Sequence, residues 1–152
     1  GFGPLGWGDD AGVHLPPAQP ARPVPFSGLQ LDEPWPQVAI LHGCVEPPSA
    51  LIPALLSAGV RGLVFTGTGA GQLSVFERCA LEDWPGPLPL MIRANRCGSG
   101  PVHRDEQFAR LGLLPAGRLS PQKARVLLLL ALMAGLDRAE LAALISQREH
   151  VS

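Results

Sequence analysis

The sequence predicts a three-layer α/β domain, with a parallel sheet of about four strands and helices on both faces. From Gln37 onward, short β-leaning runs alternate with segments whose apolar residues recur at helical spacing. Such alternation is typical of a parallel sheet, because parallel neighbours need a crossover connection, usually a helix. Hydrophobic residues make up 46% of the chain and charged residues 16%, which favours a buried core over a disordered segment.

Four apolar segments are predicted as the strands of this sheet: Val38–His42 and residues 62–66, 88–92 and 112–114. Prolines around the third segment place its start at a margin of the sheet. Between the strands, residues 47–58 and 72–81 carry apolar side chains spaced for one helical face, and Gly59 ends the first of these helices.

Two further helices are predicted after the last strand. Ser120-Pro121 starts the first, because the hydroxyl caps free amides and the proline fits the opening turn. Residues 126–132 are apolar nearly all round, as expected for a helix packed between other elements. Asp137 and Glu140 form a capping-box-like pair that opens the last helix, over residues 138–147.

Residues 1–36 differ in composition from the rest and hold eight of the chain's 17 prolines. Little periodicity accompanies these prolines, so at best short edge strands are expected here, such as Gly12-Val-His-Leu-Pro16 and Pro23-Val-Pro-Phe26. We therefore expect an extended arm over residues 1–36 and one folded domain over residues 37–152. An arm in so apolar a chain is expected to pack against another surface.

Charge and apolar patterning exclude several functional classes. With 12 basic and 13 acidic residues, the net charge is −1, so no polyanion-binding surface is predicted and nucleic acid is not an expected partner. The longest apolar stretch, residues 126–136, is too short to span a bilayer, so no membrane association is expected.

The cysteines and histidines do not form a metal or nucleophile pattern. Cys44, Cys79 and Cys97 contain no CxxC pair and are expected to be reduced thiols that fill small spaces in the core of a cytosolic protein. The four histidines lack metal-ligand spacing, so no metal site is expected. His42 ends a strand and is predicted to be packed or hydrogen-bonded rather than a general base.

The segment Thr66-Gly-Thr-Gly-Ala-Gly-Gln72 lies between a predicted strand and a predicted helix and admits two interpretations. Its amides could bind an anion or another small ligand at a helix N-terminus. Spacing alone favours the other interpretation, in which the glycines serve only a tight turn that needs positive φ. The segment lacks the GK[ST] ending of a phosphate-binding loop, and Gln72 stands where a dinucleotide fingerprint requires glycine.

The segment His103-Arg-Asp-Glu106 is a charged loop that, from residue types alone, is expected to be a solvated surface. No Ser-His-Asp set and no paired carboxylates can be assigned by spacing. From the residues alone, the chain is therefore predicted to be an α/β domain with one candidate ligand loop.

Three motifs resemble segments of the asparaginase/glutaminase family, in that family's order and approximate spacing. They are Gly62-Leu-Val-Phe-Thr-Gly-Thr-Gly-Ala-Gly-Gln72, Ala94-Asn-Arg-Cys-Gly-Ser-Gly-Pro-Val102 and Ala116-Gly-Arg-Leu-Ser-Pro-Gln-Lys-Ala-Arg-Val-Leu-Leu128. The stretch from Gly3 to Leu15 resembles the connection between the family's two domains. The resemblance thus covers the C-terminal half of a family enzyme and implies an inter-domain linker over residues 1–36.

The resemblance implies L-asparagine hydrolysis by the intact protein, with no cofactor and no metal. Family members carry the nucleophilic threonine, a Thr-Asp pair and a lysine in an N-terminal domain, and no matching segment occurs here. The chain alone is therefore expected to be inactive, with no catalytic residue of its own. The missing domain is the expected main packing partner, within a cytoplasmic homo-oligomer.

The resemblance also implies contacts with substrate bound to a neighbouring subunit. The family's asparagine after the glycine turn corresponds to Gln72, which is one methylene longer. The family's acidic residue corresponds to Asp105, with Glu106 as the alternative if the alignment slips by one residue. A non-catalytic interaction, dimerisation or small-molecule-binding module is the rival hypothesis.

Overall fold

A four-stranded parallel sheet forms the centre of the molecule, in the strand order β3-β4-β5-β6. The computed structural model describes residues 7–9, 12–14, 26, 28–48, 50–97 and 101–149. Its elements are β1 (Trp7–Asp9), β2 (Gly12–His14), β3 (Val38–His42), α1 (Leu51–Ser57), β4 (Gly62–Gly67), α2 (Val75–Glu82), β5 (Leu90–Asn95), α3 (Glu106–Arg110), β6 (Leu113–Pro115), α4 (Pro121–Met133) and α5 (Arg138–Glu149). The predicted fold class is confirmed.

Helices cover both faces of this sheet, because the strand side chains alternate between two apolar clusters. Leu63, Phe65 and Met91 point into a cluster that includes residues of α1, α2 and α3. Val64 and Ile92 point the other way, into a cluster built with α4 and α5. The three layers are therefore α1–α3, the sheet, and α4–α5.

Helix α4 lies against the sheet face as its apolar composition predicts. Leu127, Leu128 and Leu129 are buried, and Val126 alone of this run is mostly exposed. Gly62 on β4 permits the close approach, because a Cβ there would lie 2.8 Å from Cδ2 of Leu128.

The predicted starts of the two C-terminal helices are confirmed by their hydrogen bonds. Ser120 Oγ accepts from the amide of Lys123 at 3.3 Å. At α5, the amide of Asp137 donates to Glu140 Oε2 at 2.8 Å, and the amide of Glu140 donates to Asp137 Oδ1 at 2.9 Å.

Other predicted boundaries shift for identifiable reasons. Helix α1 begins at Leu51 rather than at residue 47, which places Pro53 in the first turn, where a missing N–H costs nothing. Helix α2 begins at Val75 rather than at residue 72, because Ser74 forms its capping box. Strand β5 extends to Asn95, three residues beyond the prediction.

Part of residues 1–36 is also described. Strands β1 and β2 pair antiparallel, with Trp7 opposite His14, and Phe26 packs against the α4–α5 side of the core. The remainder of the predicted edge pieces, residues 15–16 and 23–25, lies outside the described residues. Among the described helices, none is both long and apolar enough to cross a membrane.

Candidate functional site

The candidate site lies at the carboxyl ends of β4 and β5, which are neighbours in the sheet. Residues 66–72, here called the glycine turn, follow β4. Residues 103–106, here called the acidic segment, precede and begin α3, on the connection that follows β5. Because parallel strands end at one edge, the topology brings both segments to the edge where α/β proteins commonly bind ligands.

The glycine turn is closed by its own backbone. The amide of Gln72 donates to the Thr68 carbonyl at 2.8 Å, and the amide of Thr68 donates to the Gln72 carbonyl at 3.2 Å. Gly69 and Gly71 have φ angles of +56° and +75°, which side chains rarely tolerate. The tight-turn interpretation is thus confirmed, and the Gln72 side chain is left exposed beyond it.

The N-terminus of α2 is already occupied by a carboxylate of the chain itself. Glu77 is 5% exposed, and its Oε2 accepts from the amide and the hydroxyl of Ser74, both at 2.8 Å. The amide of Glu77 in turn donates to Ser74 Oγ at 3.2 Å. An external anion would have to displace this capping box, so the geometry disfavours the anion-binding interpretation of the glycine turn.

The acidic segment is not a simple solvated loop, because it starts a helix that the sequence analysis did not predict. Asp105 is the N-cap of α3, and its Oδ1 accepts from the amide of Gln107 at 2.9 Å. Glu106 instead pairs with Arg104 at 3.0 Å, with both side chains 73% exposed. The two acidic candidates therefore differ: Asp105 is partly buried and fixed, whereas Glu106 lies in a solvent-exposed ion pair.

A buried arginine joins the two segments. Arg93, on β5, is 2% exposed and donates from Nη1 to the carbonyls of Ala70 at 2.8 Å and Gly71 at 3.2 Å. Its Nη2 donates to the carbonyl of His103 at 2.6 Å. One guanidinium thus holds the residue before Gln72 and the segment that carries Asp105.

The environment of Arg93 is apolar on one side and acidic on the other. The guanidinium carbon lies 4.4 Å from the centre of the Phe108 ring, on α3. Burial lowers the pKa of Arg93 from its ordinary value, and the nearby carboxylate of Asp105 opposes that shift. Arg93 therefore carries a buried positive charge near Asp105, and it bonds the backbone of His103 in the same segment.

A second set of bonds fixes the same edge of the sheet at β3. Thr66 Oγ1 and His42 Nδ1 are 2.9 Å apart, and Arg96 donates from Nη1 to the Gly43 carbonyl at 2.6 Å. His42 is thus hydrogen-bonded, as predicted. Thr66 is fully buried, and its hydroxyl is hydrogen-bonded to His42 rather than to solvent.

Gly67 is the position in the glycine turn that least tolerates a side chain. A Cβ there would lie 2.3 Å from the Gln72 carbonyl oxygen, so Gly67→Ala must open the turn. We expect it to lower the free energy of unfolding by about 3 kcal/mol. Urea unfolding of the purified protein measures this loss.

Gly69→Ala is the matched control in the same turn. Its Cβ would meet nothing within 4 Å, so only the cost of a positive φ, about 1 kcal/mol, is expected. Equal losses for the two variants would contradict the steric account of Gly67.

Comparison with known proteins identifies the family. A family model described as the Glutaminase/Asparaginase C-terminal domain matches residues 37–145. The chain belongs to this family. Among its relatives, L-asparaginase 2 of Bacillus subtilis is 39% identical over 107 residues, which cover 70% of this chain and 28% of that protein.

Other relatives match a larger share of the chain. L-asparaginase 2 of Escherichia coli is 31% identical over 153 residues, covering 96% of this chain and 43% of that protein. The crystal structure of a probable cytoplasmic L-asparaginase from Campylobacter jejuni superposes with a TM-score of 0.71 at 27% identity, covering 95% of this chain and 47% of that one. The chain therefore spans less than half the length of each of these three relatives.

The residues that the family resemblance assigns to substrate contacts differ in their surroundings. Arg93 donates to the carbonyls of Gly71, next to Gln72, and of His103, two residues before Asp105. Glu106 instead accepts from Arg104. Arg93 was not among the predicted site residues, because the predicted third strand ends one residue before it. The signal was an arginine that continues the apolar run Leu-Met-Ile of β5.

The expectation that the cysteines fill small spaces in the core was wrong. Cys44, Cys79 and Cys97 are all free and exposed rather than fillers of the core. Cys44 and Cys97 follow the ends of β3 and β5, where the chain leaves the sheet, and Cys79 lies on the outer face of α2. Small apolar size alone does not assign a cysteine to the core.

Proposed function

We propose that the chain is the C-terminal part of an L-asparaginase-type amidohydrolase, whose intact form hydrolyses L-asparagine to L-aspartate and ammonia. The family match over residues 37–145 is the observation that carries this proposal. By the family resemblance, a threonine in an N-terminal domain forms the covalent acyl-enzyme. This chain contributes subunit contacts and substrate contacts, and neither a metal nor an organic cofactor takes part.

Two residues of this chain are proposed to reach substrate bound to a neighbouring subunit. The Asp105 carboxylate pairs with the α-ammonium group of the substrate through a charge-assisted hydrogen bond. The Gln72 amide donates or accepts a neutral bond at the same end of the substrate. In support, Oδ1 of Asp105 is fixed by the Gln107 amide, and the Gln72 side chain is exposed beyond a rigid turn.

Exposed apolar side chains support a further packing partner for this domain. Val45 is 94% exposed, and Leu51, Val75 and Phe76 are also solvent-accessible. Leu51 lies on α1, and Val75 and Phe76 lie on α2. Val45 follows the carboxyl end of β3, the edge of the sheet that carries the candidate site. Such surfaces mark interfaces, and we assign them to the N-terminal domain and to a second copy within a homo-oligomer.

The arm and the compartment complete the proposal. Residues 1–36 form the inter-domain linker, and residues 37–152 form the C-terminal domain. We propose a cytoplasmic location, which the three exposed free thiols support because free thiols are typical of reducing compartments.

Ammonia release from L-asparagine tests this function. The intact protein, expressed from its whole reading frame in a host without asparaginases, is expected to release ammonia from L-asparagine. Residues 1–152 purified alone are expected to release none above the signal of a heat-denatured sample, because they lack the threonine nucleophile.

Two results would contradict the proposal. Turnover by residues 1–152 alone would place the nucleophile within this chain. An intact protein that is inactive on both L-asparagine and L-glutamine would leave the rival function, a non-catalytic interaction or dimerisation module.

A further inference from the structure

Arg93 occupies a strand position with apolar neighbours on the same sheet face. Met91 precedes it by two residues on β5, and Phe65 lies opposite it on β4. Both are fully buried in the cluster beneath α1–α3. An aliphatic side chain would fill this position without burying a charge, so stability of the core does not by itself account for an arginine here.

The hydrogen bonds of Arg93 go to loops rather than to the sheet. All three acceptors are backbone carbonyls at the carboxyl edge: those of Ala70 and Gly71 in the glycine turn and that of His103 in the acidic segment. Nε is buried without a hydrogen-bond partner. Nη1 and Nη2 thus bond the two segments, while the Nε donor stays unpaired.

We propose that Arg93 is a positioning residue that fixes Gln72 and Asp105 in one arrangement for the neighbouring substrate. The planar fork of the guanidinium reaches two segments at once, which a lysine ammonium cannot reproduce. The α3 ring of Phe108 stacks on the same guanidinium, so the helix capped by Asp105 is held to it as well. This inference rests on the proposed function.

Arg93→Met in the intact protein tests this role. The methionine keeps the apolar stem but removes the fork, so both segments lose their shared anchor. We expect KM for L-asparagine to rise about tenfold while kcat changes less than about twofold, because the threonine and its support lie elsewhere. Arg93→Lys, which keeps the charge, is expected to raise KM by about threefold and so to restore part of the loss.

A combined variant separates positioning from a merely structural role. In an Asp105→Ala, Gln72→Ala background, Arg93→Met has no contact left to position and is expected to raise KM less than about twofold further. Arg125→Met is the matched control, because Arg125 also donates to a backbone carbonyl. Its Nε bonds the Val38 carbonyl at 2.9 Å, at the amino end of β3 and away from the candidate site. This control variant is expected to leave KM unchanged.

Three outcomes would overturn this inference. The first is a lowered melting temperature in Arg93→Met and Arg93→Lys with KM unchanged, which would make Arg93 purely structural. The second is a full tenfold effect of Arg93→Met in the doubly substituted background. The third is an unchanged KM in Asp105→Ala and Gln72→Ala themselves, which would also contradict the proposed substrate contacts. The first two outcomes would contradict only the role of Arg93.

Discussion

Asp105→Ala in the intact protein is expected to raise KM for L-asparagine by about tenfold or more. Under the proposed function, the substitution removes a charge-assisted hydrogen bond to the substrate ammonium. Such a bond contributes about 1.5–3 kcal/mol, and about 1.4 kcal/mol corresponds to a factor of ten. Gln72→Ala removes a neutral bond and should raise KM less. Steady-state kinetics on the two variants measure the difference.

Asp105→Asn is the necessary control, because Asp105 also caps α3 through the Gln107 amide. Losing such a cap costs about 1 kcal/mol of stability, which Asp105→Ala suffers and Asp105→Asn largely avoids. If the charge matters, the asparagine variant raises KM while its melting temperature stays close to that of the parent. A KM defect confined to the alanine variant would instead indicate that only the cap is important.

Glu106→Ala tests the alignment of the acidic segment. Its carboxylate lies in an exposed ion pair with Arg104, worth at most about 1 kcal/mol, so little change in stability or KM is expected. A KM defect in Glu106→Ala but not in Asp105→Ala would show that the alignment slips by one residue. If neither acidic substitution changes KM or kcat, the shared-site hypothesis fails.

The sheet and its long helices were predictable because local signals and tertiary burial agree there. The strand Val38–His42 has the predicted bounds, and Ser120 and Asp137 cap α4 and α5 as expected. In these segments, the apolar residues whose spacing indicates the element are also the residues that the core buries. Boundaries shifted where a capping box or a proline decided the first turn, as at Ser74 and Pro53.

Helix α3 could not be predicted from periodicity, since five residues are too few to show it. Its start depends on the Asp105 cap and on Phe108, which is buried against the sheet. The short charged run before it has the composition of a solvated surface. Tertiary packing therefore stabilises a helix N-terminus in a segment whose composition is typical of a loop.

The candidate contacts came from two different kinds of information. Gln72 and Asp105 were assigned by family resemblance, because no spacing rule connects an exposed amide with a carboxylate 33 residues later. Arg93, which donates to the carbonyls of Gly71 and His103 in their segments, was visible only in three dimensions. A residue whose partners are backbone carbonyls of distant loops leaves no short motif in the sequence.

Mixed oligomers test most directly the central claim that this domain completes a neighbour's active site. One intact subunit carries Asp105→Ala. A second, differently tagged subunit carries an alanine in place of the nucleophilic threonine that is proposed for its N-terminal domain. Co-expression and tandem affinity purification isolate oligomers that contain both. If Asp105 acts on the neighbouring site, each mixed pair contains one complete site and one site that lacks both groups.

At L-asparagine concentrations well below KM, such mixed oligomers are expected to show about half of the wild-type activity. If Asp105 instead acts within its own subunit, no restoration occurs. The mixed sample then shows only the mean of its two parents, about one-twentieth of wild type for a tenfold KM defect, and that result would contradict the shared-site account.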